Sequence, residues 1–216
     1  MFIVIEGIDG AGCETQAKMI LDHFKNHQQI ELIKFPHYDT PVGQMIRDFL
    51  YRNQKMNAQE QFLLYTMQFI FDEPMIREKL SGGHMGSPLL IADRYFTTTL
   101  CYQTLEGIDE KVALQYADNF GIIRPDVVFF LDVKPETAIK WKFGEDKEKN
   151  FREKDTKFIK RTYDKYQDLI SRQVWTRWVK INGEQPKEKV TEEIIKHIKI
   201  GNHGSFGRQE CHNEEI

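Results

Sequence analysis

The chain has 216 residues, of which 40% are hydrophobic and 29% charged, and its formal net charge is −3 at pH 7. This length suits one globular domain with its own core. The slight negative charge gives no electrostatic reason to expect a nucleic-acid partner. No apolar run approaches the length of a membrane span. Three cysteines are too few for a disulfide framework, and residues 1–6 lack the features of a signal peptide, so we expect a cytoplasmic protein.

Short apolar runs typical of strands alternate with longer stretches of helical periodicity. The predicted strands are FIVIE at 2–6, IELIKF at 30–35, PLLIAD at 88–93, DVVFFLDV at 126–133 and WTRWVKI at 175–181. The predicted helices lie at about 14–27, 41–51, 57–80, 97–120, 135–143, 153–172 and 186–199. We expect Pro74 to kink or split the third of these helices. The alternation predicts an α/β fold with an open parallel sheet in one domain, residues 1–200.

Two segments depart from this alternation. Residues 142–157, KFGEDKEKNFREKDTK, are almost all charged. Such a run is usually a solvated loop and helix start, although a basic lid over the site is the functional alternative. Residues 201–216 are polar and contain glycine, so we expect a disordered tail.

A glycine-rich turn, GIDGAGCETQ, follows the first predicted strand and precedes the first predicted helix. Backbone N–H groups converge at such a turn, and the helix presents its positive end there. A plain turn before a helix is the alternative. We expect the turn to bind phosphate through its whole length, which comprises Gly7, Ile8, Asp9, Gly10, Ala11, Gly12, Cys13, Glu14 and Thr15.

FIVIEGIDGAG, followed by TQ at 15–16, is the first of six ordered blocks in the chain. It resembles the opening of one known family, the thymidylate kinases. Further blocks are similar to later ones: KFPHYDTPVGQMIRDFL, QFLLYTMQF, IADRYFTTTLCYQ, RPDVVFFLDVKPETA and REKDTKFIKRTYDKY. The resemblance extends to about residue 199. It implies a doubly wound five-stranded parallel sheet, a P-loop nucleotide kinase with a helical lid at about 142–157.

The resemblance also implies an activity and its ligands. The family transfers a phosphoryl group from ATP to dTMP, giving dTDP and ADP for dTTP biosynthesis, with Mg²⁺ as cofactor. It implies no membrane and no nucleic acid, and a homodimer is expected on this ground alone.

Four charged residues are expected to contact the substrates or orient the metal ion. By resemblance, Asp9 contacts the deoxyribose or the acceptor side, and Asp93 orients the magnesium shell through water. Arg94 is expected to bind the acceptor phosphate, because a guanidinium can hold phosphate with two hydrogen bonds. Arg47 is expected as a second phosphate contact. The structural alternatives are a turn residue for Asp9, a helix cap for Asp93 and a surface ion pair for Arg94.

The base of dTMP needs a flat apolar surface and a few hydrogen-bonding groups. Tyr65 matches the stacking aromatic of the family, although an aromatic at helical spacing is usually a core residue. Thr99 and Gln103 are four residues apart and therefore share a helix face. The expected dTMP site comprises Phe35, Tyr38, Arg47, Tyr65, Arg94, Thr98, Thr99, Tyr102 and Gln103.

The chain departs from the family where the phosphate loop enters its helix. Cys13 and Glu14 occupy the positions of the usual Lys and Ser or Thr. Cys13 is neutral unless the helix N-terminus lowers its pKa, and neither form replaces a lysine. Glu14 either complements the helix dipole or, together with Asp93, holds magnesium. Gln68 and Phe69 stand near the position where the thymine helix usually has an Arg.

A basic lid could compensate for the missing lysine. Its cations are Lys142, Lys147, Lys149, Arg152 and Lys154. In the family, the catalytic Arg is either in the phosphate loop or in the lid. Since Gly10 occupies the loop position, we expect Arg152 to be catalytic. Three functions stay open: an active dTMP kinase, a non-catalytic nucleotide-binding relative, and a kinase for another pyrimidine nucleotide such as dUMP.

Overall fold

Five parallel strands form a single sheet in the computed structural model, which describes residues 1–26, 29–52, 54–81, 88–143 and 155–203. The strands are β1 (Phe2–Glu6), β2 (Ile30–Lys34), β3 (Leu89–Asp93), β4 (Val127–Asp132) and β5 (Trp178–Asn182). Their spatial order is β2-β3-β1-β4-β5. The central strand, β1, is buried along its whole length, as its run of apolar residues predicts.

Eight helices lie among the described residues. They are α1 (Cys13–Phe24), α2 (Pro41–Tyr51), α3 (Ala58–Ser81), α4 (Phe96–Leu105), α5 (Glu110–Asn119), α6 (Pro135–Phe143), α7 (Thr156–Ser171) and α8 (Lys187–His203). Helix α1 packs against α8, whereas α4 packs against α3, α5 and α7. The sheet with its flanking helices confirms the predicted α/β fold. No helix within the described ranges has the length and apolar character needed to cross a membrane.

The register of the sheet brings the site segments together. Ile5 of β1 pairs with Asp93 of β3, and Lys34 at the end of β2 pairs with Asp93 from the other side. Because parallel strands end at the same edge, the loop after β1 lies beside the residues that follow β2 and β3.

Two predicted elements were wrong in their bounds, and a predicted split of a third did not occur. The helix predicted at 97–120 is two helices, because Gly107 has a φ of 109° and the Asp109 side chain caps a new helix at the N–H groups of Lys111 and Val112. The strand predicted from 175 begins at Trp178, since Trp175 has a φ of 68°. Pro74 does not split α3, which runs unbroken over 24 residues.

The lid and tail predictions fall largely outside the described residues. Within the predicted lid, α6 reaches Phe143 and α7 begins at Thr156, whereas residues 144–154 are not among those described. Helix α8 extends to His203, which is inside the segment predicted as a disordered tail. Residues 204–216 also lie outside the described ranges.

Candidate active site

A cavity of about 450 Å³ lies where β1, β2 and β3 end. This volume is in the usual range for small-molecule sites. The predicted site residues that line it are Ile8, Asp9, Gly10, Ala11, Gly12, Cys13, Glu14, Thr15, Phe35, Tyr38, Tyr65, Asp93, Arg94, Thr98, Thr99, Tyr102 and Gln103. The cavity is therefore shared by the phosphate loop, by the turn after β2, and by α3 and α4.

The phosphate loop is so tightly wrapped that two of its glycines have no room for a side chain. A Cβ on Gly7 would lie 2.8 Å from the Cβ of Ala11. Gly10 has a φ of 93°, and a Cβ there would lie 2.6 Å from the carbonyl oxygen of Ala138. No side chain fits position 10 on this backbone, so an arginine there would require the loop and α6 to move apart.

The two residues that depart from the family pattern lie at the start of α1. Cys13 is 6% exposed, and its burial raises the pKa of the thiol, which favours the neutral thiol over the thiolate at pH 7. Glu14 accepts hydrogen bonds from Lys18 Nζ and Lys34 Nζ, each at 2.6 Å. These bonds lower the pKa of Glu14 to about 2. One lysine occupies each carboxylate oxygen of Glu14, an arrangement that does not favour a direct magnesium ligand.

Asp9 and Arg94 form an ion pair at the floor of the cavity. Arg94 Nη2 donates to Asp9 Oδ1 at 2.7 Å, and both side chains are less than one fifth exposed. Within the described part of the chain, the buried Nη1 of Arg94 has no hydrogen-bond partner. Arg94 has a φ of 68°, and its backbone N–H donates to the Ile5 carbonyl at 3.1 Å. The pair is not a surface salt bridge, and the unpaired guanidinium nitrogen suits an anionic oxygen.

Asp93 provides a second carboxylate at the same edge. Its side chain is 5% exposed, burial raises its pKa, and Lys34 Nζ lies 3.7 Å from Oδ2. The described residues contain no group of three or more His, Cys, Asp or Glu placed to hold a metal ion. Mg²⁺ in nucleotide enzymes usually binds one or two carboxylates, water and substrate phosphates. Asp93 fits that donor set.

Helices α3 and α4 form the wall opposite the loop. Thr99, Tyr102 and Gln103 are buried on α4, and Tyr65 is half-buried on α3. The buried Oε1 of Gln103 has no hydrogen-bond partner among the described residues. An unpaired buried acceptor beside apolar and aromatic surface suits a flat ligand that carries an N–H group.

Gln68 and Phe69, which replace the family's usual Arg region, have structural contacts. Gln68 accepts from the N–H of His37 at 3.3 Å and donates to the His37 carbonyl at 2.9 Å. Phe69 packs against Phe35 and Tyr95 at centroid distances of 5.0 and 4.8 Å. Both residues thus hold the turn after β2 against α3.

One buried residue that supports the site was missed from the sequence. Glu6 is fully buried at the end of β1 and accepts from Thr97 Oγ1 at 2.6 Å, Thr98 Oγ1 at 2.8 Å and Tyr166 OH at 2.8 Å. Burial raises its pKa. It anchors the start of α4, and a charged residue closing an otherwise apolar strand was the available signal.

Three predicted residues do not line the described cavity, and three lysines join it. Gly7 is buried at the start of the phosphate loop and does not reach the cavity lining. Arg47 is exposed on α2, and Arg152 lies outside the described residues. The lysines in the lining are Lys18, Lys34 and Lys142. Only Lys142 was among the cations named from the sequence.

The chain matches a family model described as thymidylate kinase over residues 5–194. It is 31% identical to a thymidylate kinase of Rickettsia typhi over 201 residues, which cover 91% of this chain and 96% of that protein. A probable thymidylate kinase of Methanocaldococcus jannaschii is also 31% identical, covering 92% and 96% of the two chains. A thymidylate kinase of Dictyostelium discoideum is 27% identical, covering 90% and 82%.

Proposed function

The chain belongs to the thymidylate kinase family, and from this premise we propose that it transfers the terminal phosphoryl group of ATP to dTMP, giving dTDP and ADP. The observation that carries the proposal is the Asp9–Arg94 pair, with the unpaired Nη1 of Arg94, in a cavity shared with the phosphate loop. A protein that only bound ATP would have no use for this second anion site.

The chemistry needs alignment and charge more than covalent assistance. The loop backbone and the N-terminus of α1 hold the ATP phosphates, while Arg94 holds the acceptor phosphate. The bond from the γ-phosphorus to the β,γ-bridging oxygen breaks, and a phosphate oxygen of dTMP bonds to the same phosphorus. The acceptor is a dianion near neutral pH, so no general base is required. Asp9 orients Arg94 through their hydrogen bond at 2.7 Å.

Mg²⁺ is the proposed cofactor, with Asp93 as the residue that orients its shell. When bound, the ion would neutralise phosphate charge and align the oxygens of ATP. Asp93 lines the cavity beside the loop. Burial raises its pKa and so favours the neutral carboxyl, whereas a bound cation would act in the opposite direction and favour the carboxylate.

The acceptor base fits the opposite wall. We assign stacking to Tyr65 and the apolar edge to Phe35, both of which line the cavity. The unpaired Oε1 of Gln103 can accept from the N3–H of thymine, whereas cytosine has no hydrogen at N3. Tyr102 is assigned to exclude a ribose 2′-hydroxyl.

Arg152 is proposed as the catalytic arginine. The support is the family's alternative placement of this residue and the exclusion of any side chain at Gly10, where φ is 93°. In this proposal, the arginine that contacts the transferred phosphoryl group comes from the lid segment rather than from the phosphate loop.

A homodimer is proposed through α3. Leu63, Met67 and Phe71 recur every four residues on this helix and are 49%, 41% and 68% exposed. Met45 is 52% exposed on α2, which packs against α3. Large apolar side chains in one stripe favour burial against an identical stripe of a second copy.

The decisive test is a coupled assay for ADP with purified protein, Mg-ATP and separate dTMP, dUMP, dCMP and ribothymidine monophosphate. We expect ADP to depend on the acceptor and to form fastest with dTMP. Faster turnover of dUMP would establish the alternative acceptor. Nucleotide binding by calorimetry without turnover of any acceptor would establish a non-catalytic relative, and equal ATP hydrolysis without acceptor would contradict the acceptor site.

A further inference from the structure

The phosphate loop lacks its usual lysine, yet an ammonium group lies beside it. Lys34 is the last residue of β2, and its Nζ is 2.6 Å from Glu14 Oε2 and 3.7 Å from Asp93 Oδ2. The side chain lines the same cavity as Cys13 and remains 52% exposed. It is therefore long enough and free enough of packing to follow a ligand phosphate.

Two lysines outside the loop offset the negative charge that Glu14 introduces. Cys13 contributes no charge and Glu14 contributes one negative charge, while Lys18 and Lys34 each bring one positive charge into contact with Glu14. Asp93 is a further carboxylate near Lys34. Lys34 therefore contacts both carboxylates at this edge of the cavity.

We propose that Lys34 supplies the phosphate-binding cation that this loop lacks, and that Glu14 positions it. The proposal rests on the proposed function, since it takes the ligand of the loop to be ATP. Lys34 approaches from the end of β2, two strands from β1, rather than from α1, and it contacts the phosphate as the lysine of an ordinary loop would. Glu14, unsuited to bind phosphate itself, holds the ammonium at the loop.

The competing explanation is that Lys34 only neutralises Glu14. The geometry favours the phosphate role, because Lys18 already pairs with Glu14 from the next turn of α1. Lys34 also lies near Asp93, at the end of the cavity where the metal and phosphates are expected.

The experiment measures ATP affinity by calorimetry without acceptor, and turnover separately, for Lys34→Met, Lys34→Arg and the double variant Glu14→Gln with Lys34→Met. Lys25→Met is the matched control, since Lys25 is exposed and pairs with Asp22 outside the cavity. We expect Lys34→Met to weaken ATP binding about 10- to 100-fold, the loss of a charged hydrogen bond. Lys34→Arg should retain most of the affinity, and Lys25→Met should match the parent.

The double variant separates the two explanations. If Lys34 binds phosphate, removing Glu14 as well leaves ATP binding weak. Parental affinity in the double variant, or in Lys34→Met alone, would overturn the proposal. A parent that binds ATP but turns over no acceptor would refute the proposed kinase activity while leaving the affinity test of Lys34 intact.

Discussion

The carboxylate of Asp9 and the guanidinium of Arg94 meet at 2.7 Å, joining the phosphate loop after β1 to the end of β3. The register of the sheet makes this contact possible, because Ile5 of β1 pairs with Asp93. One buried ion pair therefore links the phosphate loop to the proposed acceptor site, and a change to either residue should affect both.

Arg94→Ala should weaken dTMP binding and lower turnover together. A charged hydrogen bond to phosphate contributes about 1.5–3 kcal/mol, and Asp9 would be left without its partner. The measurements are dTMP affinity by calorimetry and steady-state kinetics. Arg124→Ala is the control, since Arg124 is an exposed arginine that pairs with Asp118. An unchanged dTMP saturation curve would show that Arg94 is structural.

Gln103→Leu should reduce the efficiency with dTMP and leave any dCMP turnover unchanged. The buried Oε1 would no longer meet the N3–H of thymine, a loss of about 1–3 kcal/mol in kcat/KM. Competition between dTMP and dCMP in one assay measures the change, with the exposed Gln115→Leu as control. An equal loss for both nucleotides would instead indicate damage to α4.

Arg152→Ala should lower turnover by at least about 100-fold while changing ATP affinity far less. An arginine that contacts the transferring group acts mainly on the transition state. Pre-steady-state turnover and ATP calorimetry separate the two effects, again beside Arg124→Ala. Equal losses in affinity and turnover would place Arg152 in ground-state ATP binding.

Glu14→Gln should destabilise the protein more at pH 7 than at pH 3. The folded pKa of Glu14 is about 2, below its ordinary 4.5, so its stabilisation is present above pH 4.5 and lost as the pH falls through 2. The pairs are half-exposed, which limits the effect to about 1 kcal/mol or less. Urea unfolding at pH 7 and near pH 3 measures it, with the exposed Glu188→Gln as control. A parent–variant difference that is the same at both pH values would refute the pairing.

Met67→Glu combined with Phe71→Glu should give a monomer. Two buried carboxylates would face each other across the α3 stripe, and their desolvation opposes association. Sedimentation velocity measures the mass of parent and variant. Phe120→Glu is the control, because Phe120 is 53% exposed at the end of a different helix, α5. A parental monomer, or a dimer that survives both changes, would contradict the proposed interface.

Local signals in the sequence were sufficient for most elements. Helix α2 occupies its predicted range, 41–51, because Thr40 caps it and Pro41 starts it. The phosphate loop was identifiable because its glycines stand between a buried strand and a helix. Helix α5 was missed, although Gly107 and Asp109 carried a readable turn and cap. The proposed dTMP-site residues came from family resemblance rather than from periodicity.

By itself, the sequence determined the succession of strands and helices along the chain, the phosphate loop and the family. Short-range patterning and ordered motifs encode all three. Only the tertiary structure decided the protonation of Cys13, which depends on burial by residues distant in the chain. It also decided the distant partners of two carboxylates: Lys34, 20 residues from Glu14, and Tyr166, 160 residues from Glu6. These contacts depend on strand order and register, which bring distant side chains to one edge of the sheet and which no local pattern specifies.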